Sequence, residues 1–390
     1  MKKSMLNNNT TKQIGFGLTA AALVVSYCVC VCAALGQGLL SVLLCCAVCF
    51  SVSLKLKNGV YSPDAFLLVP LFYIFSVLSP VSACISVLSG SFVFIGLSKI
   101  LKDRKIPDAV ITGATLSLAI GVTILLTNHY FGIGATGETP FEMLKSFRSL
   151  GFHPNFRGLL YGTITLFTMI TFPFKFRKLN KYLPAQFITV LIPFLLNLFL
   201  NPVKELTTIN EADFSSVFQS LQGIPAIIQS FSVEETPVII KGALFFALAL
   251  SGYSLSTETS KDKAFFYANA CSGALCGLPL TEKPIRNYGK NSALFSLFLI
   301  VASILLFPRL FARLPTHCAG AMLIVCAWQS VPYKKLAEVF KSRNPKNIFV
   351  FALGAPLYIL FEPFVATIIF VILTLFCKKT NTSSKRKECM

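Results

Sequence analysis

Apolar residues come along this chain in runs of roughly 17 to 25, parted by short polar stretches, from one end to the other. Runs of that length suit helices that cross the hydrocarbon core of a bilayer. The pattern predicts an all-α polytopic membrane protein with about fourteen transmembrane segments, several of them short. The expected spans are 14–35, 38–54, 63–79, 80–100, 107–127, 157–174, 185–201, 236–257, 264–278, 281–290, 291–308, 315–331, 347–361 and 363–377.

Two of these segments open at breaks. The third begins Tyr61-Ser62-Pro63-Asp64-Ala65, and the tenth begins Leu280-Thr281-Glu282-Lys283-Pro284. Short, proline-interrupted segments at matching places in two halves point to a transporter site built on inverted repeats. Ser62 is expected to cap a helix with Pro63 at its first position, and Thr281 to cap one with Pro284 in its first turn. Each start would aim free backbone N–H groups and a positive dipole end at mid-membrane, so an anion is the natural guest.

Arg286 follows the second break. A charge in so apolar a chain is costly unless it lines a protected cavity. Arg286 is therefore the first candidate for binding an anion; the alternative is a helix-end arginine snorkelling to the interface. With Thr281 as a cap, Glu282 and Arg286 stand four residues apart on one helix face and can pair. An ionised Glu282 would occupy the arginine and a protonated one would release it. That makes Glu282 a candidate for proton coupling.

Composition narrows the class. Of 390 residues, 54% are hydrophobic and only 13% charged, far from the balance of a soluble protein. The net charge of +19 would suit a nucleic-acid binder, but the basic residues sit in short loops between apolar runs. Lys2, Lys3 and Lys12, Lys99 to Lys105, Lys175 to Lys181, and Lys378 to Lys387 fall on one side of the expected topology. Glu205, Glu211, Asp213, Glu234 and Glu235 fall on the other, where Arg309 and Arg313 are the exceptions. The positive-inside rule then places both termini in the cytoplasm, in a multi-pass protein of the inner membrane.

The thirteen cysteines include Cys28, Cys30 and Cys32 inside the first apolar run, where thiols act as small hydrophobes. No pair of C-x-x-C motifs favours zinc, so neither metal nor cofactor is expected. His129, His153 and His317 are the three histidines, with no H-E-x-x-H and no G-x-S-x-G, so no enzyme is expected. The lysine-rich N-terminus has no small-residue cleavage site, so no removable signal peptide is expected.

The stretch 268–287 carries a resemblance. Ala268, Asn269, Ser272, Gly273, Gly277, Leu278 and Pro279 stand as in the A-N-x-x-S-G-x-x-x-G-[IL]-P motif of the sulfate-permease (SulP) anion transporters, and Arg286 lies seven residues past the proline. Gly17-Leu18-Thr19 resembles that family's first helix, Ser62-Pro63-Asp64-Ala65 its third-helix start, Leu314-Pro315 through Gly320 to Trp328 its twelfth helix, and Glu362-Pro363-Phe364-Val365 its fourteenth. The chain is thus similar to a divergent, short member, expected to lack the family's C-terminal STAS domain.

The resemblance implies seven plus seven inverted repeats in the uracil-permease-like fold. A transporter domain at 1–378 would have a transport core at 14–100 and 236–308 and a gate at 107–201 and 315–377; a basic tail, 379–390, would follow. It implies secondary active transport of a small inorganic or organic anion (sulfate, bicarbonate or dicarboxylate class) by elevator-type movement. The anion would sit between the third and tenth helix starts, against Ser62, Pro63, Asp64, Ala65, Thr281, Glu282, Arg286 and Tyr27. Expected partners are that anion, a proton or sodium as coupling ion, membrane lipids and a second copy of the chain, without nucleic acid. An anion channel and a non-transporting scaffold share the fold and are the alternatives.

Three positions depart from the family's pattern. Tyr27 stands where a first-helix glutamine is usual. The eighth helix has no carboxylate before Glu258, the second coupling candidate. Glu282 and Lys283 follow Pro279 where small neutral residues are usual.

Overall fold

The computed structural model describes residues 2–36, 59–63, 65–102, 108–200, 232–257, 269–270, 280–284, 290–306, 314–342 and 344–360, with positions 365, 369 and 372. Its helices are α1 (Lys2–Ala34), α2 (Leu68–Val77), α3 (Pro80–Lys102), α4 (Asp108–Phe131), α5 (Pro140–Leu150), α6 (Phe156–Lys175), α7 (Arg177–Asn180) and α8 (Ala185–Leu200). After Val233–Glu235, a single 3-10 turn, follow α9 (Thr236–Thr257), α10 (Lys290–Leu306), α11 (Thr316–Gln329), α12 (Tyr333–Lys341), α13 (Pro345–Gly354) and α14 (Leu357–Leu360). Two short strands, β1 (Gly59–Pro63) and β2 (Leu280–Pro284), complete the elements.

Apolar run length decided most of these helices, and the expected span 236–257 coincides with α9. Among the described residues, Gln13–Ala34, Pro80–Leu97 and Asp108–Phe131 are long and apolar enough to cross a membrane. The expected segment 347–361 is divided into α13 and α14 by a turn at Ala355 and Pro356, because Pro356 has no N–H to continue the helix. The expected segments 38–54 and 264–278, and most of 363–377, lie outside the described residues.

Helix pairs come in matched couples. α1 packs along α10, and α9 packs along α3; α1 touches α11, and α9 touches α4. The residues at these seams also repeat. Ser82 and Ser86 on α3 correspond to Ser292 and Ser296 on α10, and all four are buried. Ser86 Oγ donates to the Ile239 carbonyl of α9 at 3.1 Å, and Ser296 Oγ donates to the Gly17 carbonyl of α1 at 2.7 Å.

Gly17, Ala22 and Ser26 on α1 recur as Gly242, Ala247 and Ser251 on α9. Ser26 and Ser251 each bond back to the alanine carbonyl four residues earlier, at 2.7 Å. Small residues let the backbones close in. A Cβ on Gly17 would lie 2.8 Å from the Ser292 carbonyl oxygen, and one on Gly90 of α3 would lie 2.6 Å from that of Ala243. The two halves of the chain are therefore two copies of one helical arrangement.

The α4/α11 pair lies between these seams. The two helices are antiparallel. Gly320, near the start of α11, sits against His129, near the end of α4. At the other end, Lys335 Nζ of α12, just past α11, reaches Asp108 Oδ1, the first residue of α4, at 3.2 Å. Between them Trp328 Nε1 donates to Thr123 Oγ1 at 3.0 Å.

Candidate functional site

The two breaks predicted from sequence come together in space. β1 and β2 pair antiparallel, with Ser62 opposite Thr281, Tyr61 opposite Glu282, Val60 opposite Lys283, Pro63 opposite Leu280 and Gly59 opposite Pro284. Unwound backbone inside a membrane domain must find partners for its N–H and C=O groups, and each break supplies them for the other. Pro63 and Pro284 both end their strands, where a missing N–H interrupts the ladder least.

That pairing corrects the expected helix starts. Ser62 does not cap a helix with Pro63 at its first position: the chain stays extended through Pro63, takes a 3-10 turn at Ala65–Leu67 and becomes α-helical only at Leu68. Likewise Thr281 does not cap a helix, because residues 281–284 are extended. The expected four-residue helical spacing of Glu282 to Arg286 on one face falls with it, since Glu282 belongs to a strand.

Tyr61, Ser62, Pro63 and Ala65 are all buried. The 3-10 turn that follows β1 touches α4, α9 and α11, and β1 itself packs on α1. Tyr27 is buried on α1, one residue beyond Ser26. Asn269, the second residue of the sequence motif, is fully buried as well. Four helices and the two strands thus converge on one place, around buried Ser62 and the paired strand backbones. Asp64, Glu258 and Arg286 lie outside the described residues.

A narrow cleft with no room for a water-sized guest lies beside α2, lined by Val69, Tyr73, Phe245, Tyr358 and the Glu138-Thr139-Pro140 segment at the start of α5. Aromatic rings crowd it. Tyr73 meets Phe245 edge-on at 6.2 Å between centroids, and Phe245 lies 5.6 Å from Tyr358. Sequence reasoning missed this cluster, because its members come from α2, α9 and α14 and share no local pattern.

Just before the start of α9, Glu235 accepts hydrogen bonds from Ser79 Oγ at 2.8 Å and from Ser79 N at 3.4 Å, one residue before α3 begins. Hydrogen bonds from Ser82 and then from Ser79 hold its carboxyl below the ordinary carboxylate value. This is a capping contact between α9 and α3. No group of three or more His, Cys, Asp or Glu that could hold a metal occurs among the described residues.

Two solved structures share this architecture. The transmembrane domain of a cyanobacterial bicarbonate transporter, BicA, superposes with a TM-score of 0.69 over 92% of this chain and 97% of that one, at 15% identity. The murine Solute Carrier 26 family member A9 anion transporter, in its inward-facing state, gives 0.68 over 93% of this chain and 67% of that one, at 10% identity. The chain has their fold. No protein-family model and no curated protein sequence matches it. The all-α, uracil-permease-like transmembrane arrangement expected from the sequence is therefore the one observed, and the chain is a multi-pass membrane protein.

Proposed function

We propose that the chain is a divergent SulP-type secondary transporter of a small anion, of the sulfate, bicarbonate or dicarboxylate class. The observation that carries this reading is the meeting of the two breaks, one from each half, as paired strands amid α1, α4, α9 and α11. Similarity to a bicarbonate transporter and to a mammalian anion transporter supports it. The anion is held beside β1 and β2, by Ser62, Pro63, Asp64, Ala65, Thr281 and Tyr27, with Arg286 supplying the positive charge. Glu282 or Glu258 carries the coupling proton, or sodium takes that place.

In this reading 14–100 and 236–308 form the moving transport core, and 107–201 and 315–377 form the gate. The repeated seams α1/α10 and α3/α9 bind helices of the core to each other and support that division. The termini face the cytoplasm from the inner membrane.

Reconstituted protein offered labelled sulfate, bicarbonate, chloride and dicarboxylates, with and without a proton or sodium gradient, tests the function. Saturable, gradient-dependent uptake of one class is expected. Non-saturable flux would make the chain a channel, and no flux of any anion would make it a scaffold. Arg286→Ala is expected to weaken half-saturation roughly tenfold to a hundredfold, the worth of a charge-assisted contact of about 1.5–3 kcal/mol. Unchanged saturation would remove Arg286 from the site.

A further inference from the structure

Two helices of the fold are too short to cross a membrane and carry large apolar side chains among charged ones on their exposed sides. α5 has 11 residues and α12 has 9, and they occupy corresponding places in the two repeats, each following one member of the central α4/α11 pair. α4 and α11 are antiparallel, so α5 leaves the pair at one end and α12 at the other. The ends are far apart: 24 residues of α4 rise about 36 Å, close to the thickness of a bilayer.

The exposed faces follow one plan. On α5, Phe141, Leu144, Lys145 and Arg148 fall at positions i, i+3, i+4 and i+7, which one helix face presents together. Phe141 and Leu144 are 39% and 43% exposed, and Lys145 Nζ lies 4.6 Å from the centre of the Phe141 ring. On α12, Tyr333, Ala337 and Phe340 fall at i, i+4 and i+7, with Lys334 and Lys341 one residue beyond the first and last. Tyr333 and Phe340 are 52% and 50% exposed. The opposite sides are used up: Met143 of α5 and Val339 of α12 are buried, and Lys335 is paired with Asp108.

Large apolar side chains flanked by exposed cations are the chemistry of a phospholipid interface, with the apolar groups at the acyl boundary and ammonium or guanidinium groups at the phosphates. Exposed Glu338, between Lys334 and Lys341, is the one acid on the α12 face. Continuity points the same way. The α5 helix is followed in the chain by exposed Phe152 and by the exposed apolar row Phe156, Leu160, Phe167 and Phe174 on one face of α6.

We propose that α5 and α12 are a matched pair of in-plane anchors that bind acidic phospholipid headgroups on opposite leaflets and hold the α4/α11 pair at fixed depth. Lys145 and Arg148 take the phosphates on one side, and Lys334 and Lys341 on the other. The inference rests on the fold and on these exposed faces, and it stands whether or not the chain moves an anion.

Photoreactive benzoylphenylalanine at Leu144 or at Phe340, in the full chain reconstituted in vesicles, tests it. One set of vesicles contains phosphatidylcholine alone, and the other contains an added share of phosphatidylglycerol. Irradiation is expected to give lipid adducts at both positions, with phosphatidylglycerol captured several-fold beyond its share. Lys334→Gln with Lys341→Gln should bring capture at position 340 down to near the acidic lipid's share and leave position 144 unchanged. Lys145→Gln with Arg148→Gln should do the reverse. Capture of a second protein chain would show a protein interface and overturn the proposal, as would lipid adducts without preference for the acidic lipid, or no adducts. The parent charge pattern alone decides the first point, so the proposal does not depend on the glutamine variants folding.

Discussion

Ser296 of α10 bonds the Gly17 carbonyl of α1, and Ser86 of α3 bonds the Ile239 carbonyl of α9, so two seams in different halves of the chain use one device. The α4/α11 seam between them is built otherwise. It joins Trp328 to Thr123, and beside it His317 of α11 is fully buried against Gly158 of α6. A seam that exists twice has a counterpart with which it can be compared, and small residues with single serine bonds recur in both copies. A seam on the pseudo-twofold axis has no second copy. Its two sides need fit only each other: Gly320 of α11 sits against His129 of α4, and Trp328 reaches Thr123.

The close approach of the duplicated seams is where a substitution should act most. Gly90→Ala would place a methyl 2.6 Å from the Ala243 carbonyl oxygen and 2.8 Å from the Phe246 ring. Backbone cannot yield as a side-chain tip can, so α3 and α9 must separate, at a cost of about 1–3 kcal/mol or more. Gly17→Ala, at 2.8 Å from Ser292 and 3.0 Å from Phe295, should act in the same direction and somewhat less. Thermal unfolding of the detergent-solubilised protein reads both. A Gly90→Ala protein as stable as the parent would mean that the seam is looser than its geometry.

Deleting one hydroxyl should cost less. Ser86→Ala and Ser296→Ala each remove one interhelical bond, worth about 0.6 kcal/mol and at most about 1.7 between membrane helices. The two losses should match if the seams are equivalent copies. Trp328→Phe removes the bond to Thr123 but also changes packing volume, so its loss should exceed either serine's. A serine variant that loses more than Trp328→Phe would reverse the contrast between the repeated seams and the central one.

What could be read from the sequence follows the range of the forces involved. Apolar runs as long as a bilayer is thick announce themselves locally, and α4, α6 and α9 lie within a few residues of their expected spans. The breaks at Ser62-Pro63 and Thr281 to Pro284 were visible for a local reason too, since proline and polar residues interrupt otherwise apolar runs. Their mutual pairing was not visible, because about 220 residues separate β1 from β2 and no local pattern encodes which unwound segment satisfies which. Helix starts were expected there because Ser, Thr and Pro favour caps and extended ends alike.

α5 and α12 went unpredicted for a different reason. Their exposed faces mix aromatic and basic residues, so neither hydropathy nor a clean polar face marks them. The signal that was present is local capping: Thr139 accepts from Glu142 N, Glu142 Oε2 accepts from Glu138 N, and Pro140 stands at the first turn.

The smallest expected effect lies at the edge of the α3/α9 seam, and it depends on pH. Glu235 accepts from Ser79 Oγ and Ser79 N at the start of α3, where the helix dipole also favours a negative charge. Hydrogen bonds from Ser82 and Ser79 to the ionised form lower its carboxyl below the ordinary value. A carboxyl whose proton affinity is lower folded than unfolded stabilises the fold above its unfolded value, about 4.3, and loses that contribution as pH falls through its folded value. The group is only partly covered from solvent, so the effect is slight and weakens with salt. Glu235→Gln should keep part of the hydrogen bonding but none of the charge. Its unfolding temperature should lie slightly below the parent's at neutral pH and converge with it on acidification below about 4. The α1/α10 seam has Asn291 bonded to Gln13 near its own end, a neutral pair, so no matching pH dependence is expected there. If Glu235→Gln stays below the parent by a constant margin at every pH, the capping carboxylate contributes shape and not charge, and the two seams are alike in this respect as well.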